Sequence, residues 1–109
     1  YPSYNKPGSL LFWFHSPQTP KEDFIFFIDA DMLLRQPVDL RRLRPARGVV
    51  ISAAYEYLVG TATGFAERFI DPEITHRQAQ VGGFHIIHRE DARRVSPKWL
   101  AFTRRGRAF

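Results

Sequence analysis

The sequence contains no cysteine, a single methionine and no long apolar run. Without cysteine there can be no disulfide and no thiolate metal site, although the compartment stays open. No stretch approaches the roughly 20 apolar residues that span a bilayer, and the first residues do not read as a secretory leader. The one methionine is Met32, so the chain lacks an initiator and reads as a segment of a longer protein. Acidic residues are in the minority, 11 against 16 Lys and Arg, which gives a formal charge of +5. With 109 residues there is room for one small domain and a modest core. A hydrophobic content of 44%, with 15% aromatic, is that of a globular chain rather than a disordered one. There is no internal repeat and no low-complexity tract.

What is present reads as α/β. Pro7 suits the first turn of a helix over 7–15, which Ser16-Pro17 stops. A polar connector leads to the run Phe24-Ile25-Phe26-Phe27-Ile28, five bulky apolar residues that read as a strand buried on both faces. A short helical turn is expected over 39–43, bounded by Pro45 and Gly48. A second strand is expected over 49–54, and a helix over 63–70 that ends at Asp71-Pro72. Val81-Gly82-Gly83 introduces a third strand over 84–87. A last helix starts near Arg89, with Glu90 and Asp91 in its first turn where the helix dipole favours anions. Pro97 is expected to interrupt or restart it.

The chemistry concentrates after the first strand. Asp29 and Asp31 flank Ala30 where the apolar run must emerge. Two carboxylates at i and i+2 repel each other unless a cation neutralises them. A hard, oxygen-seeking ion such as Mn2+ or Mg2+ is a natural partner, and open α/β sheets place ligands beyond the carboxyl ends of their strands. The ordinary alternative is a helix cap or turn, which a lone Asp would suit better than a pair.

Other residues add weaker signals. Asn5-Lys6 put an amide and a cation at a helix start, a favourable place for a phosphate. Gly82-Gly83 lack any Cβ and let backbone approach a ligand, or simply form a bulge. Tyr55-Glu56-Tyr57 set a carboxylate between two rings, which suits a sugar as well as a strand end. His85 and His88 stand three apart, so a regular strand points them to opposite faces and they do not share a metal. His15 and His76 have no partner at metal-site spacing. The arginines at 41, 42, 44 and 47, and the basic residues of 93–107, could attract phosphate or an acidic surface. A solvated face is the simpler reading for the second group. No helix-turn-helix, zinc-finger or RNP-like pattern supports nucleic-acid binding.

Taken in order, these motifs resemble a known family. Tyr1-Pro2 through Asn5-Lys6-Pro7 comes first, then the run from Phe24 to Asp29-Ala30-Asp31-Met32, then Ala46-Arg47-Gly48. Tyr55-Glu56-Tyr57-Leu58-Val59-Gly60, Val81-Gly82-Gly83 and Glu90-Asp91 through Pro97-Lys98-Trp99-Leu100 complete the set. The order resembles the peptidyl serine α-galactosyltransferases of plants and green algae, and is similar, less closely, to the hydroxyproline O-arabinosyltransferases. The resemblance implies a GT-A fold, Rossmann-like and nucleotide-sugar-binding, with a mixed or mostly parallel sheet flanked by helices. It implies that residues 1–109 are the central segment of one catalytic domain. The first strand of the nucleotide fold and a further metal ligand, often a histidine, would lie outside them.

By the same resemblance, a UDP-sugar, galactose favoured, is the donor. Serine or hydroxyproline hydroxyls of a hydroxyproline-rich glycoprotein are the acceptor, and the sugar is transferred with retention. Asp31 would ligate Mn2+ (or Mg2+) directly, and Asp29 would contact the ribose or share the metal. Asn5 and Lys6 would lie near the nucleotide, Gly82 and Gly83 would line the donor sugar, and Glu56 would contact a donor or acceptor hydroxyl. The setting implied is the lumen of the Golgi or endoplasmic reticulum, with membrane attachment only through segments outside this chain. Two rivals remain. A haloacid-dehalogenase-like phosphatase also ends an apolar strand in D-x-D, but its usual Thr two residues on is here Leu33, and no downstream acidic pair stands out. A non-enzymatic basic interaction module would use the arginines instead.

Overall fold

A computed structural model describes residues 5–19, 21–55, 68–77 and 79–106. Its elements run α1 (Asn5–Phe14), β1 (Phe24–Ile28), α2 (Leu40–Leu43), β2 (Val50–Ala54), a 3-10 helix (Pro72–Arg77), β3 (Val81–His88) and α3 (Arg89–Gly106). The first helix starts at Asn5, so Asn5 and Lys6 form its first turn rather than precede it. It stops before Ser16-Pro17 as expected, and its last carbonyls are taken locally. His15 Nδ1 lies 2.7 Å from the Leu11 carbonyl, and the Thr19 hydroxyl donates to the carbonyls of Trp13 and Ser16. α2 is the expected turn: the Asp39 carboxylate accepts the Arg41 N–H at 2.9 Å and Arg44 closes it in the left-handed region. Of the helix expected over 63–70, residues 63–67 lie outside the described residues. Arg68 has 3-10 geometry, Phe69 and Ile70 form a turn and a bend, and a 3-10 helix follows over Pro72–Arg77.

The three strands form one sheet in the order β1-β3-β2, with β3 antiparallel to both neighbours. The α/β class stands, but a mixed or mostly parallel sheet does not. A parallel connection needs a crossover long enough to lay a helix across the sheet. Between β1 and β2 the only helix is the single turn of α2. β2 therefore never pairs with β1; the two run side by side in direction, with β3 reversed between them. β3 is the central strand and carries the buried positions Gly83, Ile86 and Ile87. β1, at the edge of the described sheet, is half-buried at every residue rather than enclosed on both faces.

The period-2 alternation divides the sheet into two faces. Ile25 and Phe27 of β1 share one face with His85 and Ile87 of β3 and with Val50 and Ser52 of β2. α3 lies on that face: the Trp99 ring is 6.1 Å from Phe27 and 6.2 Å from His85. α1 packs along α3, with Leu10 buried and the Arg93 guanidinium 5.4 Å above the Phe14 ring. Phe24, Phe26 and Ile28 face the other way with Phe84, Ile86 and His88, joined by edge-on Phe26–Phe84 and Phe24–His88 contacts.

α3 is continuous through Pro97, where an interruption was expected. Proline cannot donate to the carbonyl four residues back. That carbonyl belongs to Arg93, and the Ser96 hydroxyl approaches it at 3.5 Å. The start of α3 is tied down on three sides. The His88 ring accepts the Glu90 N–H at 3.2 Å, and the Arg89 N–H donates to the Asp23 carbonyl at 2.7 Å. The buried Asp91 carboxylate accepts the Gly48 N–H at 2.6 Å.

Candidate functional site

The helix start, the carboxyl end of β1 and a tryptophan of α3 enclose one open cleft of about 1020 Å³. Its mouth carries Asn5, Lys6, Asp29 and Asp31, and its walls are β1 and the rings of Trp13 and Trp99. Four of the residues singled out in the sequence thus meet at one place. They come from two elements because α1 packs on α3, and α3 in turn on β1, with the first turn of α1 over the strand end.

The two carboxylates differ in their surroundings. Asp29 forms an ion pair with the Lys6 ammonium, each side chain being about a third exposed. Lys6 is therefore the cation that neutralises this end of the pair. Asp31 lies in the following turn, exposed, which is closed by the Met32 N–H donating to the Asp29 carbonyl at 3.0 Å. Exposed oxygens of this kind suit a hard cation that keeps several waters and shares its remaining ligands with a phosphate. Among the described residues no third His, Asp or Glu joins them.

The glycine pair lies inside β3 rather than before it. Gly82 pairs with Ala53 beside an irregularity in the register after Ser52. The Gly83 carbonyl accepts the Asp29 N–H at 2.9 Å, which fastens the acidic turn to the central strand. Gly83 adopts φ +75°, and the place its Cβ would occupy is filled by the Tyr55 phenol and the Met32 methyl. The close approach that glycine permits here is taken by the protein's own side chains. Glu56, with Tyr57 to Gly60, lies outside the described residues. His88 caps α3, and the side chain of His76 is outside the described set.

His85 is the residue the sequence undervalued. Its Nδ1 is 2.5 Å from the Ser52 hydroxyl across the β2–β3 pair, and its ring stacks obliquely on Phe27 at 4.8 Å. Burial holds the imidazole below its ordinary value of 6.5; the charge of Lys6 pushes the same way and that of Asp29 opposes it. Ser52 and His85 sit in a second cleft of about 470 Å³ between the sheet and α3. Phe27, Leu10 and Trp99 line both clefts. The one hint in the sequence was a serine amid the apolar run Val49-Val50-Ile51.

The basic residues divide. Arg41, Arg42, Arg44 and Arg47 are exposed around α2, whereas Arg105 lies over the rings of Phe69 and Phe102 and Arg94 pairs with Asp91. Leu33, where the phosphatase pattern needs threonine, is almost fully exposed. Among the described residues no helix is long and apolar enough to cross a membrane.

No protein-family model matches the chain, and no solved structure matches it. Curated relatives do. The chain is 34% identical over 114 aligned residues, covering 94% of its length, to a peptidyl serine α-galactosyltransferase of Chlamydomonas reinhardtii. It is 36% identical over 109 residues, covering 99% of its length, to a protein of the same name from Arabidopsis thaliana. It spans only 15% and 13% of the lengths of these two relatives.

Proposed function

We propose that this chain, homologous over nearly its whole length to a segment of the peptidyl serine α-galactosyltransferases, is the donor-binding part of a glycosyltransferase. It would move galactose from UDP-galactose to a serine hydroxyl of a hydroxyproline-rich glycoprotein, in the lumen of the secretory pathway and within a larger GT-A domain. The observation that carries this reading is the meeting of Asn5, Lys6, Asp29 and Asp31 at the mouth of one cleft large enough for a nucleotide sugar.

The residues present fit a hard divalent ion, because Asp31 and Asp29 offer carboxylate oxygens and leave the other positions to water and phosphate. When bound, Mn2+ or Mg2+ supplies charge that stabilises the departing diphosphate. Asp31 would hold the ion, and Asp29 would share it or turn to the ribose. Lys6, already beside Asp29, adds a second positive charge where the diphosphate lies. The first turn of α1 borders the cleft through Asn5 and Lys6, so the positive end of its helix dipole favours the same anion. Gly83 keeps the acidic turn in register through the Asp29 N–H. Glu56 is assigned to a sugar or acceptor hydroxyl. The acceptor oxygen forms a bond to the anomeric carbon as the bond from that carbon to the diphosphate oxygen breaks, and the acceptor's proton leaves with the diphosphate.

The experiment is hydrolysis of a panel of UDP-sugars by the full-length protein, with and without Mn2+. Metal-dependent release of UDP, fastest from UDP-galactose, is expected. Release of inorganic phosphate from phosphomonoesters, with no turnover of any UDP-sugar, would replace this reading with the phosphatase one.

A further inference from the structure

The second cleft has no part in the donor chemistry, yet it lies beside the first. The two share Leu10, Phe27 and Trp99, so these side chains stand between them. At about 470 Å³ it is half the size of the donor cleft and suits a few side chains rather than a nucleotide. Its lining is apolar apart from Ser96 and the Ser52–His85 pair. With Nδ1 engaged by Ser52, the remaining ring nitrogen, Nε2, makes no hydrogen bond among the described residues. β2 borders the cleft through Val50 and Ser52, and among the described strands it is an outer one. An outer strand offers backbone groups to an added extended chain.

We propose that this second cleft is the acceptor subsite and takes an extended, hydroxyl-bearing peptide segment. Trp99 and Phe27 contact its apolar and ring surfaces, His85 Nε2 hydrogen-bonds it, and the hydroxyl to be modified projects past Trp99 towards the donor cleft. The assignment rests on the glycosyltransferase reading only for the direction of that hydroxyl. A peptide bound along β2 is recognised by this surface whatever the donor. His85 is a specificity contact here, and no proton transfer is assigned to it.

The test uses the full-length protein and a synthetic serine-containing, proline-rich peptide. Peptide binding is followed by tryptophan fluorescence, UDP binding with Mn2+ by calorimetry, and transfer by the KM for the peptide. His85→Phe keeps a ring but removes both nitrogens. Val50→Trp, at a half-exposed rim position, fills the cleft without touching the core. Each should weaken peptide binding and raise its KM by about tenfold or more, the weight of one lost hydrogen bond or a blocked contact. UDP affinity should stay within about twofold. If Val50→Trp leaves the peptide's affinity unchanged, or if UDP affinity falls instead, the assignment is overturned. Peptide binding that responds to both variants in a protein unable to bind UDP would sustain the subsite while removing the donor reading.

Discussion

Asp91→Ala removes a side chain that ties the start of α3 to the turn leading into β2. The carboxylate is buried and accepts the Gly48 N–H at 2.6 Å through Oδ2 and the Arg94 guanidinium at 3.1 Å through Oδ1. A hydrogen bond to a charged group contributes about 1.5–3 kcal/mol, and a carboxylate in the first helical turn adds about 0.3–1 kcal/mol. The Arg94 side chain is 72% exposed, so that pair adds well under 1 kcal/mol. Gly48 is itself exposed, and water can recover its N–H in the variant. A total near the low end, about 2 kcal/mol, is expected. In a domain of this size that lowers the melting temperature by roughly 8–16 °C. Scanning calorimetry with urea unfolding as a cross-check measures it, with Arg94→Ala as the control at under about 0.5 kcal/mol. Equal losses for the two variants would refute the claim that the Gly48 contact, rather than the ion pair, joins these elements.

The two positive-φ glycines among the described residues should respond differently. Gly48→Ala, at φ +81° with open space around it, should cost about 1–2 kcal/mol of backbone strain. Gly83→Ala also collides with Tyr55 and Met32 and should cost about 3 kcal/mol or more; urea midpoints rank them. Because burial depresses the His85 imidazole below 6.5, the unfolded chain binds the proton more readily. The stability His85 allows is complete above pH 6.5 and falls as pH drops through that value towards the folded one. The melting temperature should therefore fall between pH 7 and pH 5, with a shallower slope in His85→Phe. Pro97→Ala restores a helical donor to Arg93 in mid-helix and should raise stability by about 1–3 kcal/mol, read from thermal melts.

The parts of the fold legible in the sequence were those with a local cause. Five bulky residues announced β1, Ser16-Pro17 the end of α1, Pro45 and Gly48 the bound of the short turn of α2, and the spacing of His85 and His88 their opposite faces. What escaped depended on partners remote in the chain. An apolar pentapeptide reads alike in a central and an outer strand, so the sequence points to an enclosed β1 when β3 is the enclosed one. Strand direction follows the path of the connection, and α2 proved too short to carry a parallel crossover. At Pro97 a local rule gave way to a helix held along its length by α1 and the sheet, with Ser96 beside the orphaned carbonyl. In the site, Asp29, Asp31, Asn5 and Lys6 could each be singled out. That Lys6 would neutralise Asp29 could not, because only the packing of α1 across α3 brings them together. The Ser52–His85 pair likewise depends on a register set by the irregularity between Ser52 and Ala53, which no spacing rule reveals.

The central claim is that Asp29 and Asp31 anchor a metal-bound diphosphate at the mouth of the larger cleft. Calorimetric titration of UDP into the full-length protein, with and without Mn2+, tests it most directly when repeated on Asp31→Asn, a near-isosteric change at an exposed turn that should leave the fold intact. Binding that requires Mn2+ in the wild type and vanishes in Asp31→Asn is the expected result. Mn2+-dependent UDP binding of unchanged affinity in Asp31→Asn would contradict the account.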